Sequence, residues 1–183
     1  MRITILNGDM AVGESVFSDY IEQLAVQLKA NHSVEVFDIQ KMDLHYCTGC
    51  WCCWWKTPGR CIKPDNAEQI FRSVIGSDFV IFASPLMAAF TSSALKKITD
   101  RLICLLHPYI KLKNGESHHR KRYDHYPDFG LILQREPDTD DEDISILNDI
   151  YDRLGLNFHN KRKYTRFIEL DTIDKIIYET CNI

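Results

Sequence analysis

Apolar and polar positions change period repeatedly along the chain, and each change separates a strand from a helix. Ile3 and Ile5 lie in a short apolar run that predicts a buried strand over the first six residues, broken by the NGDMAVG stretch that follows. Phe17, Tyr20, Ile21, Leu24, Ala25 and Leu28 then recur at three- and four-residue spacing, the signature of a surface helix with one core face. SVEVFDI, residues 33–39, alternates like a second strand, and a cysteine-rich loop comes after it. Pro64-Asp65 marks the entry to a helix running to about Ile75, with Asp65 as its cap. DFVIFASP, residues 78–85, is continuously apolar, as a strand buried on both faces should be. Leu95, Ile98, Leu102 and Leu105 mark the next helix, and FGLILQ at 129–134 the fourth strand. The acidic PDTDDED run opens a helix at 142–154, where negative charge suits the positive helix end. YTRFIEL at 164–170 is a fifth strand, and Ile173, Ile176 and Ile177 mark a last helix. Residues 107–128 show no clear period and read as a long loop.

Strand alternating with helix implies an α/β class built of βαβ units, with a parallel sheet between two helical layers. Five strands in 183 residues fit the three-layer flavodoxin-like order 2-1-3-4-5, and the length suits a single domain over 1–183. Ligands in such sheets sit at the carboxyl ends of the strands, which directs attention to loops 7–15, 84–92 and 134–141, with the cysteine loop close by.

Net charge is −4, so no basic field draws the chain to nucleic acid or an acidic membrane, and small-molecule chemistry is expected instead. No apolar stretch is long enough for a signal or a membrane span, which leads to the expectation of a cytoplasmic protein. Seven cysteines in that setting read as thiols rather than a disulfide framework. In the first loop, Gly8 and Gly13 permit close backbone approach, and Ser15 lies where the helix begins. Its hydroxyl and the nearby amides can hold a phosphate or simply cap the turn. Five cysteines and three tryptophans fall within CTGCWCCWWKTPGRC, residues 47–61. Cys47, Cys50, Cys53 and Cys61 are spaced C-x2-C-x2-C-x7-C, which serves a four-iron cluster, a zinc ion or a loop of plain thiols. Adjacent His118 and His119, near Glu116 and His125, diverge on any regular element and read as a solvated loop. Arg120, Lys121 and Arg122 beside them are candidates for a nicotinamide-cofactor phosphate or a dimer contact.

Together, Asn7-Gly8, Gly13 and Ser15, then Ser84-Pro85, Ser92 or Ser93, Leu95-Lys96 and Asp100-Arg101 resemble the NADPH-dependent FMN reductase and iron-sulfur flavoprotein group of the flavodoxin-like superfamily. The resemblance implies that Asn7, Gly8, Asp9, Gly13 and Ser15 take the FMN phosphate. It likewise implies that Pro85, Leu86, Met87, Ala88, Ala89 and Phe90 line the flavin ring. It further implies NAD(P)H as co-substrate, an unidentified small-molecule electron acceptor, assembly as a homodimer or homotetramer, and no catalytic side chain, since the flavin carries the chemistry. Against the family pattern, Asp9 replaces a phosphate-binding serine, Glu14 an asparagine, Ala11 or Val12 a basic residue, and Met87 and Ala88 the aromatics that face the flavin. Two alternatives follow: an iron-sulfur flavoprotein in one-electron transfer, or a binding module that no longer holds FMN. For the cysteines we expect thiols without a cluster in aerobic preparations, in a loop bordering the flavin pocket.

Overall fold

The computed structural model describes residues 1–113 and 115–183. In chain order these form β1 (Arg2–Asn7), α1 (Val16–Lys29), β2 (Ser33–Asp38), a 3-10 turn (Ile39–Lys41), α2 (Cys52–Trp55), α3 (Ala67–Gly76), β3 (Phe79–Met87) and β4 (Phe90–Thr91). There follow α4 (Ser93–Thr99), a 3-10 segment (Asp100–Leu105), β5 (Leu106–Lys113), β6 (Glu116–Lys121), β7 (Asp128–Gln134), α5 (Asp141–Phe158), β8 (Arg162–Phe167) and α6 (Ile173–Cys181).

The central sheet runs β2-β1-β3-β7-β8 with all five strands parallel. This is the expected 2-1-3-4-5 order, with β7 and β8 as its fourth and fifth strands. Period-two alternation sorts each central strand between two cores. Ile3, Ile5, Phe79, Ile81 and Ala83 face Phe17, Ile21, Leu24 and Leu28 of α1 and Ile176 of α6. Leu6, Val80 and Phe82 face the opposite layer of Ile70, Phe71 and Val74 of α3, Leu95 and Ile98 of α4, and Tyr151 and Phe158 of α5. α5 begins in a reciprocal capping box, Asp140 accepting from the Asp143 amide while Asp143 accepts from that of Asp140.

Four expectations are corrected. Residues 107–128 are largely a ribbon, β5 pairing antiparallel with β6 and carrying an irregularity between Leu106 and Ile110. Its outer face is exposed, so the stretch lacks the apolar alternation that betrays a half-buried strand. His118 on β6 is buried, not solvated, and His119 is half-buried on the same strand. The second expected helix starts at Ala67 with Asn66 at its cap position, while the Asp65 carboxylate, one residue earlier, accepts from the Ala67 amide at 3.1 Å and also binds Arg101. The fifth strand lies slightly earlier than its apolar run suggests, ending at Phe167.

Candidate functional site

β1 and β3 are adjacent, with Asn7 opposite Ala83, so the loops leaving them share one edge of the sheet. Ser92 ties the two together. Its hydroxyl donates to the Gly8 carbonyl and accepts from the Leu95 amide at 3.2 Å, capping α4. Its own amide donates to Ser84 Oγ at 2.8 Å. Gly8 meets this knot so closely that a Cβ there would lie 2.6 Å from the Leu95 Cβ. The Ser84, Ser92 and Leu95 motif positions are therefore the clamp that sets loop 8–15 against the exit of β3. Ser92, not Ser93, fills that role.

Within the first loop, Asn7 is buried and orders the backbone. It accepts from the Asp9 amide at 3.1 Å and donates to Asp38 Oδ1 at 3.1 Å. Ser15 caps α1 by accepting from the Ser18 amide at 3.2 Å. The Asp9 carboxylate sits at the same helix end. Its Oδ2 accepts from the hydroxyls of Ser15 and of Ser18, the latter at 2.7 Å, and its Oδ1 from the Ala11 amide at 3.0 Å. Burial alone would raise the Asp9 pKa, but the two hydroxyls and the amides of Ala11 and Met10 outweigh it and hold the group below its ordinary value. The helix end is thus an oxyanion site whose donors suit the FMN phosphate, and an internal carboxylate already takes them. Gly13, at φ 103°, has open space around its Cβ position, and Val12 is 98% exposed beside it.

At the end of β3, Pro85 is half-buried, Leu86 buried and Met87 50% exposed. Ala88 and Ala89 both lie in the left-handed region, φ 51° and 59°. That conformation costs about 1–2 kcal/mol for each residue bearing a Cβ. Their amides donate to the two carboxylate oxygens of Glu136, each at 3.1 Å. Sequence reasoning pointed to loop 134–141 but missed Glu136, because nothing local marks a carboxylate that acts on another loop. Phe90 lines a cavity of about 260 Å³ that also touches Lys96, Thr99 and Tyr151.

The cysteine loop builds a separate cavity of about 410 Å³, lined by Cys47, Cys50, Cys53, Cys61 and the otherwise core-packed Cys104, with Trp51, Trp54 and Arg101. None of its lining residues belongs to loop 8–15 or to 85–90. Trp54 is structural, donating its indole N–H to the Leu106 carbonyl at 3.1 Å, while Trp55 is 71% exposed. Burial, and then the neighbouring Cys61, Cys50 and Cys47, push the Cys53 thiol up to about 11. Exposed Cys50 moves the other way, chiefly because the Cys52 backbone N–H stabilises its thiolate. Among the described residues no three or more His, Cys, Asp or Glu side chains are arranged to hold a single metal ion, so no tetrahedral zinc site is preformed. A multi-iron cluster differs, since each iron takes its own thiolate and the ligands must surround a void. Under the cavity, Arg101 donates to Asp65 through Nη1 at 2.6 Å and Nη2 at 2.9 Å, with both side chains almost wholly buried. Asp65 also accepts from the His45 amide at 2.8 Å. The pair pins the excursion before α3 to the segment after α4.

Among relatives with assigned names, an iron-sulfur flavoprotein of Archaeoglobus fulgidus is 36% identical over 85 residues, 46% of this chain and 38% of that protein. An iron-sulfur flavoprotein of Clostridioides difficile is 32% identical over 114 residues, 58% of this chain and 48% of that protein. The matches thus span about half or less of those relatives' length. Among solved structures, an FMN-dependent NADH-azoreductase of Bacillus anthracis in complex with FMN superposes with a TM-score of 0.63 at 13% identity, covering 98% of this chain and 94% of that one, a likeness of fold. No helix among the described residues is long and apolar enough to cross a membrane. The family model for NADPH-dependent FMN reductase matches residues 1–122, two thirds of the chain and all of the clamp, the first loop and the cysteine loop, and the chain belongs to that family.

Proposed function

We propose that this chain is an FMN-dependent NAD(P)H oxidoreductase, acting as one domain in a cytoplasmic homo-oligomer and passing electrons to a small-molecule acceptor. The observation that carries the reading is the oxyanion site at the start of α1, set by the Ser92 knot beside the exit of β3. Bound there, FMN would accept hydride from the nicotinamide and release electrons to the acceptor. Ser15, Ser18 and the Ala11 amide would hold the phosphate once the Asp9 carboxylate withdraws, since phosphate and carboxylate cannot share the same donors. Pro85 to Phe90 would position the ring, with Met87 and the 88–89 backbone nearest to solvent. Among these residues no side chain is needed as an acid or base. NADPH oxidation with a quinone or azo acceptor should depend on added FMN and saturate with it; a rate independent of FMN would exclude the reading.

One observation favours a second centre in the same protein: four cysteines of cluster-like spacing line one cavity, and the relatives above are named iron-sulfur flavoproteins. Cys47, Cys50, Cys53 and Cys61 fit such a donor set, and the cluster would exchange single electrons. Because the Cys53 thiol is protonated at neutral pH, assembly would release protons and strengthen as pH rises. In aerobic preparations we expect these residues to titrate as thiols. After anaerobic purification, iron and acid-labile sulfide analysis distinguishes the readings: about four irons per chain, lost in Cys50→Ser, establishes the cluster, and iron-free protein establishes a thiol loop.

A further inference from the structure

The turn joining β3 to β4 consists of two residues, because Met87 pairs directly with Phe90 across it. Two-residue hairpin turns with both positions at positive φ strongly favour Asn-Gly or similar pairs. Here the pair is Ala88-Ala89, with φ 51° and 59°. Neither residue takes part in the ladder, and one side chain, from a different loop, satisfies both of their amides. Glu136 Oε1 accepts from Ala88 and Oε2 from Ala89, each at 3.1 Å. Glu136 is itself fixed, its amide donating to Thr139 Oγ1 at 3.0 Å while its carbonyl accepts from the Thr139 amide at 3.1 Å. A carboxylate from the fourth strand's loop therefore holds a turn of the third strand in a conformation its own residues disfavour.

We propose that Glu136 is a positioning residue for the flavin, holding the Ala88-Ala89 turn in the shape that receives the ring; this rests on the FMN reading above. Two parallel acceptor oxygens match two successive N–H groups, whereas glutamine offers one acceptor oxygen and alanine none. The dependence should therefore follow the order Glu, Gln, Ala. It should also vanish when the turn no longer needs holding, as in Ala88→Asn/Ala89→Gly, whose residues adopt the same turn unaided.

The test combines FMN titration of wild type, Glu136→Gln, Glu136→Ala, the double variant Ala88→Asn/Ala89→Gly and the triple variant Glu136→Ala/Ala88→Asn/Ala89→Gly with amide hydrogen exchange at residues 88 and 89 in flavin-free protein. We expect Glu136→Ala to lose amide protection and to raise the FMN Kd about tenfold relative to wild type, Glu136→Gln to fall between, and the triple variant to bind within about twofold of the Ala88→Asn/Ala89→Gly double variant. Unchanged or tighter FMN binding in Glu136→Ala would overturn the proposal and make the carboxylate a competitor for the site. A triple variant about tenfold weaker than the double variant would also overturn it, because Glu136 would then act on a turn that needs no holding. If wild type protects both amides yet binds no FMN, the flavin reading itself fails and takes the positioning role with it, while the exchange data still record the clamp.

Discussion

Arg101→Ala is expected to lower the unfolding free energy by about 3–5 kcal/mol, the usual cost of leaving a buried charge without its partner. Asp65 would remain beneath the cysteine cavity, almost wholly buried, with the His45 and Ala67 amides as its surviving backbone donors. Urea unfolding measures the loss directly, and a change under about 1 kcal/mol would show that water solvates the pair. The double variant Asp65→Asn/Arg101→Met removes both charges and should lose much less than the single one. The pair also fixes an acid sensitivity. Burial would raise the Asp65 pKa, but the Arg101 guanidinium and the amides of His45 and Ala67 overcome it and hold it well below the ordinary value. A carboxylate with a depressed folded pKa gives its full contribution above the unfolded value of about 3.9, and the contribution fades as pH falls toward the folded value. Wild type should therefore lose stability below about pH 4 more steeply than the double variant does.

Asp9→Ser should tighten FMN binding about ten- to hundredfold. The substitution removes a negative charge from the place proposed for the phosphate, and it frees the Ser15 and Ser18 hydroxyls and the Ala11 amide. Like charges a few ångströms apart in partly solvated surroundings repel by about 1–4 kcal/mol, so the lower part of that range suffices for the gain. Asp9→Asn, which removes the charge but keeps an acceptor among the same donors, should fall between. Weaker binding in Asp9→Ser would mean that the carboxylate organises the loop for the phosphate instead of competing with it.

Much of this arrangement could be read from residue order alone, for reasons that differ by element. β1, β3 and β7 carry dense apolar runs because both of their faces are buried, the edge strands β2 and β8 are only partly buried and carry a weaker signal, and α1, α4 and α5 present one core face at helical spacing. The β5–β6 ribbon escaped because Tyr109, Ile110 and Leu112 lie exposed on it and break the expected alternation. Asp65 was legible as a carboxylate at a helix start, where it does accept from the Ala67 amide, but its partner Arg101 lies 36 residues on, beyond the reach of any local pattern. The same limit hid Glu136, which acts 47 and 48 residues away. Asp9 stood out as a departure from the family pattern, but only the structure shows it accepting the hydrogen bonds that the phosphate would need. The four cysteines were legible by spacing, whereas the path of their loop depends on how the chain turns through Gly49, Trp51 and Gly59, all at positive φ.

The central claim is that the edge between β1 and β3 is an FMN site supplied by NAD(P)H. Its most direct test is an anaerobic titration of the flavin-free chain with FMN, followed by addition of NADPH to the loaded protein. The account predicts one FMN per chain, tighter in Asp9→Ser, and bleaching of the bound flavin by stoichiometric NADPH. A chain that stays colourless at saturating FMN in both wild type and Asp9→Ser, or a bound flavin that NADPH and NADH leave oxidised, would contradict it.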